Sequence, residues 1–113
     1  MRYNLENRLV LFSKESIKTC KTIHITIINK SIIQQFIRSS NSIGANYHEA
    51  NNACSKKDFV NKLYISLKEA NETKYWLQLL CTSNPEIIKQ LEYLENECQQ
   101  IIKIIQSIIN KSK

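Results

Sequence analysis

The chain has 113 residues, with 16 Lys and Arg against 10 Asp and Glu for a formal net charge of +6, and it contains one Gly and one Pro. That length makes a single domain, residues 1–113, with a core of its own. So few turn formers exclude a β-sandwich or barrel and favour long helices with short connections. The four cysteines, Cys20, Cys54, Cys81 and Cys98, are widely spaced and form no C-x-x-C pair, which excludes the usual zinc and thioredoxin-type spacings. Lys14, Glu15, Lys18 and Lys21 interrupt the first apolar segment, so no signal peptide is expected, and no stretch is apolar enough to span a bilayer. The expectation is a cytoplasmic protein without membrane, metal or cofactor.

Four helical segments are predicted in order. Helix 1 runs from about residue 5 to 26, with Leu5, Leu9, Phe12, Ile17, Cys20 and His24 at three- and four-residue steps. Lys14, Lys18 and Lys21 recur at the same spacing and form a basic stripe displaced from the apolar one. Helix 2 is expected to open at Ser31, where Ser31-x-x-Gln34 has capping-box form. Ile33, Phe36, Ser40, Ile43, Tyr47 and Ala50 carry its seven-residue period.

Helix 3 opens at Ser55, with Asp58 as box partner and as a negative charge near the positive helix end. Val60, Leu63, Leu67, Ala70, Lys74, Leu77 and Cys81 follow its heptad. Helix 4 is announced by Asn84-Pro85-Glu86: a cap, a proline at the first helical position and an acid in the first turn. Its heptad is Ile88, Leu91, Leu94, Cys98, Ile101, Ile105 and Ile108. Short loops join antiparallel neighbours, so the fold class is all-α, an up-down-up-down antiparallel four-helix bundle. Helices 3 and 4 hold more apolar residues than one seam needs, and oligomerisation through them would cover the surplus.

The charge is uneven. Residues 1–41 carry seven Lys and Arg against two acids, so this third of the chain holds +5 of the +6. Such asymmetry points to an acidic partner, most often nucleic acid; a solvated helix face is the alternative. Catalytic patterns fail on spacing. A di-iron bundle needs Glu-x-x-His on two helices, and the positions three before His24 and His48 are Lys21 and Ala45. An Arg–His nuclease pair fails as well, because Arg38 and His48 stand ten residues apart, roughly 15 Å along a helix axis. No phosphate loop, nucleophile elbow or paired-carboxylate signature is present. Asn46 and Glu49 on helix 2, and Glu69 and Glu72 on helix 3, are instead candidates for a register-fixing polar network with Arg38 or Lys74 as counter-ion.

Three stretches carry a family resemblance: Ser42-Ile43-Gly44-Ala45-Asn46-Tyr47-His48-Glu49-Ala50, then Ser55-x-x-Asp58-Phe59, then Leu67-Lys68-Glu69-x-x-Glu72-Thr73-x-Tyr75-Trp76-Leu77. They resemble the bacterial four-helix bundle proteins found as reading frames within intervening sequences of 23S rRNA, a family that includes the accessory variability determinants of diversity-generating retroelements. Many members read Glu-Gly where this chain has Glu49-Ala50. The resemblance implies a homopentamer with a basic surface or channel. For the retroelement members it also implies binding to nucleic acid, RNA or DNA, and to a reverse transcriptase. It implies no enzymatic activity and no cofactor. Ser42, Gly44, Asn46, Glu49, Ser55, Asp58, Phe59, Glu69 and Glu72 are the motif positions expected to serve structure. Arg8, Lys14, Lys18, Lys21 and Arg38 are the expected phosphate contacts, with Tyr3 able to stack on a base. A protein-interaction scaffold, whose basic charge only aids solubility, is the alternative function.

Overall fold

The computed structural model describes residues 4–113. Arg2 and Tyr3 therefore lie outside the described residues. Four α-helices make up the chain: α1 (Leu5–Lys21), α2 (Lys30–Asn51), α3 (Lys56–Ser83) and α4 (Ile88–Ser112), with a short 3-10 turn at Pro85–Ile87 leading into the last. Each helix packs on its neighbours in the order α1–α2–α3–α4 and back to α1, while the diagonals stay apart. This is the antiparallel four-helix bundle that short loops and heptads dictate. No helix among the described residues is long and apolar enough to cross a membrane.

The seams explain which residues fold it. In α4 Leu91, Leu94, Cys98, Ile101, Ile105 and Ile109 are buried, close to the heptad read from sequence, with Ile109 rather than Ile108 closing it. Ile102, Ile104 and Ile108 pack half-buried against the core. In α1 the stripe departs from expectation after Phe12. The buried positions are Leu5, Leu9, Phe12, Ser16 and Thr19, continued by Ile23, whereas Ile17 is 43% exposed. Ser16 is tolerated inside because its hydroxyl donates to the Phe12 carbonyl at 2.8 Å, leaving no unsatisfied polar group.

The same substitution of hydroxyls for aliphatics recurs in α3. Beside the expected Leu63, Ala70 and Leu77, this helix buries Ser66, Thr73 and Leu80. Ser66 donates to the Ile43 carbonyl of α2 at 2.8 Å, and Thr73 to the Ser39 hydroxyl at 2.9 Å. These short side chains hydrogen-bond directly across the α2–α3 seam. Val60, Leu67 and Cys81, expected in the core, are only half-buried.

Helix ends also differ from the sequence expectation. α1 stops at Lys21, and Ile25, Ile27 and Ile28 lie exposed in the following loop; the β-branched run has low helix propensity and no seam to fill. The Ser31 cap does not form. One turn earlier Asn29 Oδ1 accepts from the Thr26 N–H at 2.8 Å and Thr26 Oγ1 accepts from the Asn29 N–H at 3.2 Å. This reciprocal pair has capping-box form. Ser55 does cap α3, accepting from the Asp58 N–H at 3.0 Å. Asn84 makes no side-chain cap for the turn that follows it; its Nδ2 donates instead to the Leu80 carbonyl at the end of α3, at 3.2 Å. Its carboxamide is buried and accepts from Asn29 Nδ2 at 3.0 Å, tying the two linkers at one end of the bundle.

Candidate nucleic-acid interface

α1 carries the basic stripe, and its own seam sets the direction of that stripe. Asn4 caps the helix, accepting from the Asn7 N–H at 3.1 Å, and Glu6 and Lys18/Lys21 sit at the ends where the helix dipole favours each sign. With Leu5, Leu9, Phe12, Ser16 and Thr19 inward, Lys14, Lys18 and Lys21 stand exposed. They cover about 10 Å of helix axis at 1.5 Å per residue. Among the described residues no carboxylate pairs with any of the three. Exposed Val10, Leu11 and Ile17 alternate with them. No Asp or Glu occurs between Glu15, which stands within the row, and Glu49.

The two arginines expected beside these lysines are engaged elsewhere. Arg8 forms a fork with Glu97 of α4, Nη2 to Oε1 at 2.7 Å, and also donates to Gln100 at 2.9 Å. The hydrogen bond to Glu97 raises the Arg8 pKa against the opposing effect of burial. Arg38 Nη1 donates to both oxygens of Glu69 at 3.1 and 3.2 Å, and Nη2 donates to Glu72 at 2.7 Å. Hydrogen bonding to Glu69 raises its pKa in turn. Arg8 thus ties α1 to α4, and Arg38 ties α2 to α3. Of the five expected phosphate contacts, only the lysines present an uncompensated charge.

The motif positions resolve into local devices. Asn46 Nδ2 donates to the Ser42 carbonyl at 2.9 Å and to its hydroxyl at 3.0 Å. Gly44 faces Leu9, whose Cβ would lie 3.4 Å from an added Cβ, so the space between α1 and α2 admits a methyl and little more. Glu49 pairs with Lys62 across α2–α3 at 3.1 Å. Asp58 supplies the N–H that Ser55 caps, and Phe59 packs half-buried on the core. The predicted network is therefore split: Glu69 and Glu72 share Arg38, Glu49 has its own lysine, and Asn46 turns back on its own helix. Lys74 is not the counter-ion.

His48 Nδ1 lies 3.0 Å from Glu6 Oε1 on α1, turned to a different neighbour from Arg38. No three His, Cys, Asp or Glu side chains converge on a metal position among the described residues, and all four cysteines are free thiols. Sequence reasoning missed Glu97, Gln100 and Lys62 as partners. Glu97 is 89 positions from Arg8, and no local spacing signals such a pair.

No curated protein matches the chain. A solved structure does: the 1.70 Å crystal structure of a protein of unknown function from the S23 ribosomal protein family of Bacteroides thetaiotaomicron. It is 37% identical, covers 94% of this chain and 98% of its own, and superposes with a TM-score of 0.81. Residues 6–107 match the model of the 23S rRNA-intervening sequence proteins, and with the helical architecture and motif geometry above, the chain belongs to that family.

Proposed function

We propose that this chain is a non-catalytic, oligomeric protein that binds nucleic acid through the phosphate backbone, using Lys14, Lys18 and Lys21. The observation that carries this reading is the contrast among its cations. Arg8 and Arg38 are held by carboxylates, while the three lysines stand exposed in one row with no ion-pair partner among the described residues. A row of point charges on a helix surface contacts phosphates and reads no base edges, so binding is independent of sequence. Self-assembly, as the homopentamer implied by the resemblance, would multiply a weak row into a strong one. One setting for such a protein is as accessory to a retroelement reverse transcriptase, tested by copurification of the two. No catalytic role is assigned, since Arg38 is clamped by Glu69 and Glu72 and His48 faces Glu6.

Fluorescence anisotropy with labelled RNA and DNA tests the reading. Three phosphate contacts per chain give a log–log salt slope of about −2.7, roughly a fortyfold loss between about 50 and 200 mM salt, and more for an assembly. Lys14→Glu, Lys18→Glu and Lys21→Glu together should abolish binding and leave oligomer mass and helicity unchanged. Equal binding by the reversed protein would refute the assignment. A protein-interaction scaffold is the second reading, favoured by exposed Val10, Leu11 and Ile17 among the lysines. It predicts no nucleic-acid binding at either salt.

A further inference from the structure

Three isoleucines in the elbow between α1 and α2 have no role in the core. Ile25 is 58% exposed, Ile28 70% and Ile27 95%. Ile23 is the residue that anchors this elbow inward, at 7% exposure. The elbow is nonetheless held by several bonds. Asn29 is buried, and besides its reciprocal bonds with Thr26 it donates to the His24 carbonyl at 3.0 Å and to Asn84 at 3.0 Å. The Lys30 N–H donates to the Thr26 carbonyl at 3.1 Å. Aliphatic side chains are thus kept outward on a pre-organised turn, where polar residues would serve the cap equally well. Lys21 ends α1 on one side of the turn and Lys30 begins α2 on the other. Nearby, Glu86 on the adjoining linker and Lys89 in the first turn of α4 are both exposed.

We infer that this elbow is a wedge: Ile27 and Ile28 enter a base step of a nucleic-acid duplex while Lys21 and Lys30 hold the flanking phosphates. The inference rests on the proposed function, since the row Lys14–Lys18–Lys21 runs down α1 to the elbow and supplies the affinity. Aliphatic wedges flanked by cations unstack and kink duplexes in this way. Single strands are less suited, because their bases stack on aromatic platforms and the elbow offers only the His24 imidazole beside its three isoleucines. A bilayer is less suited as well. Three isoleucine side chains carry about twelve carbons between them, fewer than a single myristoyl chain, which by itself gives only marginal membrane binding. In a duplex the isoleucines need only offset unstacking, because phosphate contacts supply the rest.

The test uses the full chain and a duplex of about 20 base pairs carrying 2-aminopurine at its centre, either fully paired or with one neighbouring mismatch. The wild type should raise the 2-aminopurine fluorescence and favour the mismatched duplex by roughly tenfold, since unstacking is easier there. Ile27→Ser with Ile28→Ser should lose both the fluorescence rise and the preference. It should keep the salt slope, and it should fold normally because neither side chain is buried. Wild-type binding without a fluorescence rise, or an unchanged double variant, would overturn the wedge and leave phosphate binding standing. Absence of duplex binding at low salt would overturn both. Loss of oligomer mass in sedimentation velocity, or loss of wild-type binding to anionic vesicles, upon the same substitutions would assign the elbow to another partner and likewise overturn the wedge.

Discussion

Replacing Arg38 by alanine should cost far more than a surface ion pair normally would, and the reason lies with its partner. The arginine side chain is 48% exposed, but that of Glu69 is only 10% exposed. Arg38 Nη1 meets both oxygens of Glu69, at 3.1 and 3.2 Å. Removing the guanidinium strands a nearly buried carboxylate, an effect of 3–5 kcal/mol for fully buried pairs; with half the arginine in water, about 2 kcal/mol is expected. The Glu72 contact is more exposed and adds about 0–1 kcal/mol. A total near 2.5 kcal/mol corresponds to a melting temperature lower by about 10 °C. Urea and thermal unfolding followed by circular dichroism measure both quantities. The discriminating variant is Arg38→Ala combined with Glu69→Ala. If a stranded charge is the cause, the double variant loses less than the single one. A double variant as unstable as Arg38→Ala, or a single variant within about 0.5 kcal/mol of wild type, would refute the reasoning. Nucleic-acid affinity of Arg38→Ala should stay within about twofold of wild type, because its charge is already neutralised.

Gly44→Ala should be tolerated or mildly stabilising, by up to about 1 kcal/mol of helix propensity, because the new methyl meets Leu9 at ordinary contact distance of 3.4 Å; Gly44→Leu should cost about 1–3 kcal/mol through overpacking, both read by urea midpoint. Asn84→Ala should destabilise by about 1–3 kcal/mol, since it leaves the buried Asn29 donor without its acceptor, and should speed amide exchange in both linkers. Cys54 is exposed and should react with a thiol reagent in the native state, whereas Cys98 is buried and its thiol is pushed up from 9.0 to about 12, and Cys20 to about 11, in both cases by desolvation. The folded state keeps these protons longer than the unfolded chain, so stability should be full below pH 9 and decline between about 9 and 12. A Tm that is flat across that window would remove the effect.

What the sequence disclosed followed from how each residue acts. The α4 isoleucines, the Ser55 cap and the α2 heptad were legible because they are local and apolar or local and periodic. Ser16, Thr19, Ser66 and Thr73 were hidden because an apolar count passes over hydroxyls that satisfy themselves within or across helices. An apolar count therefore places the α1 seam at Ile17 and Cys20. The true start of α2 was missed because Thr26–Asn29 makes a capping box with Asn in place of Glu or Gln. At the candidate interface the lysine row was legible as spacing. That Arg8 is withdrawn from it was not, since Glu97 reaches it only through the tertiary fold, whereas Arg38 as counter-ion to Glu69 and Glu72 was legible from the facing carboxylates.

The Asn29–Asn84 bond settles something that the isoleucines leave open. Leu91, Leu94, Cys98, Ile101 and Ile105 repeat with little variation, so the α3–α4 hairpin slid one heptad, about 10.5 Å, past α1–α2 would still find apolar partners. Greasy periodicity alone is degenerate. The bond between the two linker carboxamides forms at one alignment only, and every slipped alignment would forfeit it. Buried asparagines set alignment in coiled coils by the same penalty. In this bundle the hydrophobic repeat supplies the cohesion, and two side-chain amides at one end choose the register.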